Sequence, residues 1–207
     1  MMRLTSAQRK MIASTTMLLA VCLAWLARFR PWGWWALGAM TASWLADGLL
    51  AKYPPVWRKV PGAFFIGASF FALAHACYGA ASVMVLRAMG LPFRWLNFSL
   101  LVAAFALVVG CHARLFARSS KRAAGFTAAA SAYLLVVGVM ASLAFRVGVE
   151  TGGRLWMLPL GACLFFLSDC ILVVREYRKE KSALMTGAIW STYLAAQCLL
   201  QLGLWLA

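Results

Sequence analysis

Two carboxylates stand where an apolar chain tolerates them least. Asp169 lies inside Phe165-Phe166-Leu167-Ser168-Asp169-Cys170-Ile171-Leu172, and Asp47 inside Trp44-Leu45-Ala46-Asp47-Gly48-Leu49-Leu50. In both, an aromatic residue and a Leu precede a small residue, Asp, a second small residue, an aliphatic and Leu. The next polar landmark also recurs at one spacing: His75 follows Asp47 by 28 residues, and Gln197 follows Asp169 by 28. Ionisable side chains inside apolar segments are costly and are usually there for function. A carboxyl screened from water can deliver a proton or balance a nearby cation, so two of them point to acid chemistry.

Other polar residues gather around this pair. Ser43 precedes Asp47 by one helical turn, on the same face, and Ser168 adjoins Asp169. His75, Tyr78 and Ser82 form a stripe at i, i+3 and i+7, and Tyr193, Gln197 and Gln201 form one at i, i+4 and i+8 headed by Trp190. Membrane helices also use such stripes as hydrogen-bond glue. That duller role fits Ser82 and Gln201, whereas His75, Tyr193 and Gln197 occur at the depth of the aspartates. A lone Asp near a helix end can snorkel toward the headgroups; Asp47 has that escape more readily than Asp169. His112 and Asn97 read as interfacial, and a haem shared by His75 and His112 would need them at one depth.

The elements that must position these groups follow from composition. Of 207 residues, 64% are hydrophobic and 12% charged, and the mean hydropathy is +0.83. A soluble core cannot use that much apolar surface, so the chain is an all-α integral membrane protein. Long uncharged runs indicate helices, and the alternating pattern of a barrel is missing. The net charge of +15 resides in short loops, where topology signals belong, so no nucleic-acid partner is expected. All six cysteines fall in apolar segments without a C-x-x-C pair, which argues against a disulfide framework or a zinc site.

Seven transmembrane helices are expected in a single transmembrane domain, at about 11–28, 32–52, 60–87, 95–115, 123–147, 155–175 and 182–206. Residues Met1 to Lys10 read as a basic lead, and the first apolar run as a retained span rather than a signal peptide. Alternate loops carry fourteen Lys and Arg on one side and six (Arg28, Arg30, Arg87, Arg94, Arg146, Arg154) on the other. The excess places the N-terminus in the cytoplasm and the C-terminus outside, in the inner (plasma) membrane. Trp32, Trp34, Trp35, Trp95, Trp156 and Trp205 collect at the opposite interface as an aromatic belt. Spans 2–3 and 6–7 then form two parallel helix-pair repeats, unlike the inverted repeats of many transporters.

Four short motifs occur in order: Ala46-Asp47-Gly48-Leu49-Leu50, Ala74-His75-Ala76-Cys77-Tyr78, Phe166-Leu167-Ser168-Asp169 and Tyr193-Leu194-Ala195-Ala196-Gln197. Together they resemble the lysoplasmalogenase (YhhN-like) family, which includes transmembrane protein 86. The chain departs from the family pattern in having Ala46 before the first Asp, where Gly is usual, and Lys10-Met11 where a Lys-Pro pair opens an early span. Members commonly carry eight spans; the expectation here is seven, without the family's first helix.

The resemblance implies hydrolysis of the vinyl ether bond of lysoplasmalogens, with a lysophospholipid substrate drawn from the membrane lipid and no metal or cofactor. It assigns Asp47, Asp169, His75, Tyr193 and Gln197 to catalysis and Tyr78, Ser43 and Ser168 to substrate binding. Protonation of the vinyl ether β-carbon needs a carboxylic acid, and the oxocarbenium ion that results needs a carboxylate beside it. A transporter or other lipid-handling protein would also use midplane polar residues, and a non-catalytic membrane scaffold stays open. An intramembrane aspartyl protease is disfavoured by the missing Gly-x-Gly-Asp, and a retinal receptor by the lack of a Lys in the last span.

Overall fold

In lipid the backbone has no water to bond, so its N–H and C=O groups must be satisfied along the helix. The computed structural model describes residues 5–91, 95–116, 121–180 and 182–207. Among them are seven α-helices, two 3-10 turns and no strand. The helices are α1 (Ser6–Ala27), α2 (Gly33–Ala51), α3 (Ala63–Ala88), α4 (Trp95–Phe116), α5 (Lys121–Thr151), α6 (Met157–Arg178) and α7 (Ala183–Leu206). Several residues used in the charge and aromatic readings lie outside the described residues: Arg3, Arg94, Arg118 and Lys181 altogether, and Arg58, Trp95, Asn97, His112, Lys121 and Arg122 in their side chains.

Among the described residues, five segments are long and apolar enough to cross a membrane: Ser6–Ala27, Ala63–Ala88, Gly125–Thr151, Gly153–Arg178 and Ala183–Leu206. In α2, Asp47 together with Trp and Gly residues dilutes the apolar run. In α4 the described apolar part shrinks to Leu101–Gly110.

Two compact units divide the chain, Met1–Ala81 and Ser82–Ala207. In the first, α1 starts earlier than hydropathy suggests. Thr5 accepts from the Gln8 amide at 3.2 Å while Gln8 Oε1 accepts from the Thr5 amide at 2.8 Å. This capping box satisfies two amide donors that would otherwise be left at the helix start, so the basic lead read over Met1–Lys10 is helical from Ser6. Helix α1 packs on α2, tied by Trp44 Nε1 donating to Thr15 Oγ1 at 2.8 Å. Helices α2 and α3 run antiparallel in close approach. A Cβ on Gly38 would meet Cys77 Sγ at 3.6 Å, and one on Gly67 the Ala46 carbonyl oxygen at 3.5 Å. Lys52 caps α2 in the left-handed conformation (φ 53°), with its cation at the negative end of the helix dipole. Trp34 and Trp35 are exposed as a belt requires, but Trp32 is buried, with the Arg30 guanidinium 6.0 Å from its ring centre.

In the second unit α6 packs against both α5 and α7. Phe105 of α4 meets Phe166 of α6 edge to face, ring centres 4.9 Å apart. The loop expected at Gly148–Gly153 is shorter. Helix α5 continues to Thr151, and the turn is made by Gly152 and Gly153, both at positive φ. Likewise Arg175 to Arg178, read as a charged loop, form the last turn of α6, which Lys179 closes at φ 51°.

Arg146 is therefore not an outer-loop charge. It is 1% exposed within α5, and its Nη1 donates to Glu150 Oε1 at 2.6 Å. Truncating one member of a buried ion pair strands the other charge and costs on the order of 3 kcal/mol. Glu150→Ala is therefore expected to lower the thermal midpoint clearly. The Arg146→Leu/Glu150→Leu double variant should recover most of that loss in the same melting experiment.

Candidate functional site

In the first unit, α2 carries Ser43 and Asp47 and α3 carries His75 and Tyr78, and all four are buried. Asp47 is only 3% exposed, which rules out snorkelling to the headgroups as the reason for its position. Ser14 of α1 donates its hydroxyl proton to Asp47 Oδ2 at 2.6 Å. A carboxyl removed from water needs such partners, because an unsatisfied buried acceptor costs more than the bond itself gains. The residue after Asp47 is shaped by its surroundings too. The Trp57 ring, on the 3-10 turn Pro55–Lys59, occupies the space a Cβ on Gly48 would need.

In the second unit, α6 carries Ser168 and Asp169 and α7 carries Tyr193 and Gln197, again all buried. Tyr133 of α5 donates its phenolic proton to Asp169 Oδ2 at 2.7 Å. Helix α6 packs against α7 as well as α5, so both neighbours flank the helix that carries Asp169. The Ser168 hydroxyl donates to the Ile189 carbonyl at 3.1 Å, pinning α6 to α7 beside the carboxyl. Gln197 Nε2 donates to Tyr193 Oη at 3.4 Å. The Tyr193 ring is seated edge to face against Phe165 and Trp190, with centres at 5.4 and 5.5 Å.

The structure thus brings Tyr193 and Gln197 together, ties Ser168 to the α7 backbone, and places His75 and Tyr78 in the packed interior of α3. Two functional candidates escaped the reading of the sequence. Ser14 had a faint signal, since Ser14-Thr15-Thr16 interrupts an otherwise apolar span. Tyr133 had a fainter one, a single phenol in a run of Ala, Leu and Val. Among the described residues, no group of three or more His, Cys, Asp or Glu is placed to hold a metal ion.

Chemically, each unit offers a carboxyl shielded from water with a hydroxyl bonded to one of its oxygens. The model of the YhhN family matches residues 8–204 of the chain, a stretch that contains every residue named in this site. No curated protein and no solved structure matches it.

Proposed function

The chain belongs to the YhhN family, the family of lysoplasmalogenases, and on that premise we propose that it is a membrane hydrolase of vinyl ether lysophospholipids. The products are a fatty aldehyde and a glycerophospho-alcohol. One observation carries the reading: the family match runs through two aspartates that are both buried in apolar helices and both hydrogen-bonded by a hydroxyl. In this reading seven helices cross the inner membrane, with the N-terminus cytoplasmic and the C-terminus outside.

One carboxylic acid, Asp47 or Asp169, adds a proton to the β-carbon of the vinyl ether. The π electrons form the new C–H bond and leave an oxocarbenium ion, which calls for a carboxylate to stabilise it. Water adds to the cationic carbon and gives its proton to the carboxylate left by the first step. The hemiacetal then breaks its C–O bond to the glycerol: the glycerol oxygen takes that proton back, the hemiacetal hydroxyl loses its own, and aldehyde and alcohol result. Proton transfer by a positioned side chain typically contributes about 10²–10⁴-fold. His75, Tyr193 and Gln197 orient water or polarise the ether oxygen. Tyr78, Ser43 and Ser168 bind the substrate.

Purified protein in vesicles or detergent is expected to release long-chain aldehyde from an alkenyl-lysophosphatidylethanolamine, and none from the saturated alkyl ether. The alkyl ether lacks the π bond whose electrons accept the proton. Absence of aldehyde from folded protein across several headgroups would remove the hydrolase reading.

A further inference from the structure

The two aspartates share more than a sequence context. Asp169 and Gln197 lie 122 residues after Asp47 and His75, respectively. The same shift carries Ala46 onto Ser168 and Gly67 onto Ile189. Those are the residues where the two helix pairs touch: Ala46 oxygen beside Gly67 in α2/α3, and Ser168 on the Ile189 carbonyl in α6/α7. A second crossing point agrees to within one residue. Gly38 faces Cys77, and the shift carries this pair to Leu160 and Leu199, while the observed approach is Gly161 against Leu199. Both aspartate helices also end on a Lys in the left-handed conformation, Lys52 and Lys179.

The hydrogen bonds extend the correspondence to a third helix. In each case a hydroxyl that reaches the carboxyl comes from the helix immediately before the aspartate helix, α1 for Asp47 and α5 for Asp169. The shift places Ser14 on Val136, and Tyr133 stands three residues from it, one helical turn away. Residue type and register have both changed, yet an inter-helix hydroxyl on the carboxyl is present each time.

We propose that the chain is built from two three-helix repeats, α1–α3 and α5–α7, and that the hydroxyl on the first helix of each, Ser14 or Tyr133, is the positioning residue for that repeat's aspartate. A hydroxyl bonded to a carboxyl oxygen fixes the plane of the group, and with it the direction in which the carboxyl acts. The catalytic part of this role rests on the hydrolase reading above. A misplacement of a catalytic group by about 1 Å can cost on the order of a hundredfold in rate.

The test compares full-length parent protein with Tyr133→Phe, Ser14→Ala and Ser14→Thr, and with Ser142→Ala as control. Ser142 is buried but donates to the Gly138 carbonyl of its own helix. Aldehyde release from an alkenyl-lysophosphatidylethanolamine is followed against substrate concentration, and each thermal midpoint is measured. The expected result for Tyr133→Phe and Ser14→Ala is a fall in kcat of about 10- to 100-fold, with KM within about twofold. Their midpoints stay near that of the parent, Ser14→Thr regains most of the rate, and Ser142→Ala behaves as the parent. Should Ser14→Ala not fold, Ser14→Cys keeps the shape with a weak donor and takes its place. A lowered midpoint with kcat per folded molecule unchanged would make the hydroxyls structural and overturn the proposal, as would parent-like kcat in both variants. An inactive parent has a different signature: it removes the hydrolase reading and the positioning role with it.

Discussion

Asp169→Asn is expected to lower the rate of aldehyde release by at least about a hundredfold, and Asp47→Asn to do the same, without loss of fold. The amide is nearly isosteric with the carboxyl, and its oxygen still accepts from Tyr133 in one case and Ser14 in the other. Packing should therefore survive. What disappears is the acidic proton, or the negative charge, and protonation of carbon has no substitute for either. Rate and melting temperature measured on the same preparations separate chemistry from folding. If one variant retained parent-like kcat, the mechanism would reduce to a single carboxyl; retention by both would remove aspartate chemistry from the reaction.

Gly161→Val should be nearly as damaging, by a different route. A Cβ at this position would lie 3.0 Å from the Ala196 carbonyl oxygen, the Leu199 Cβ and the Leu200 amide nitrogen. Two of these are backbone atoms, so no rotamer change relieves the clash and α6 must separate from α7. Close approach at small residues is a main source of helix association in lipid. Overpacking of this kind costs about 1–3 kcal/mol even for modest additions. Because Tyr193 precedes this contact on α7 and Gln197 lies within it, the separation also shifts both relative to α6, which carries Asp169. The expectation is a lower yield of folded protein, a lower melting temperature and loss of activity in whatever folds. Gly187→Ala on α7 is the comparison, since nothing lies within 4 Å of a Cβ there; it should melt at or slightly above the parent.

Much of the helical plan was legible because hydropathy is a local property. Long apolar runs bounded by Pro, Gly and basic residues end where the helices end, within a few residues. The aspartates were legible for a related reason: a carboxyl in such a run contrasts with everything beside it. Their partners were not, because Ser14 and Tyr133 are ordinary in their own helices and acquire meaning only from what faces them. Arg146 was misread on similar grounds. A charge next to Gly148 and Glu150 resembles a loop, yet the i, i+4 pairing with Glu150 lets α5 carry both inward. The start of α1 was missed although its Thr5-x-x-Gln8 capping box was in view, since basic residues at Arg9 and Lys10 outweighed it.

The origin of each carboxyl's hydroxyl on the helix just before it also bears on how the chain enters the bilayer. A lone Asp costs roughly 2.5–3.5 kcal/mol at the centre of a spanning helix on insertion scales, and less toward an end, where Asp47 lies. For α2 the donor lies 33 residues upstream and for α6 it lies 36 upstream. Each acidic helix can therefore leave the translocon as a hairpin with its predecessor, its carboxyl already satisfied. On this account α1 is a chaperone for α2 during biogenesis, bringing the Ser14 hydroxyl to Asp47 before α3 is made.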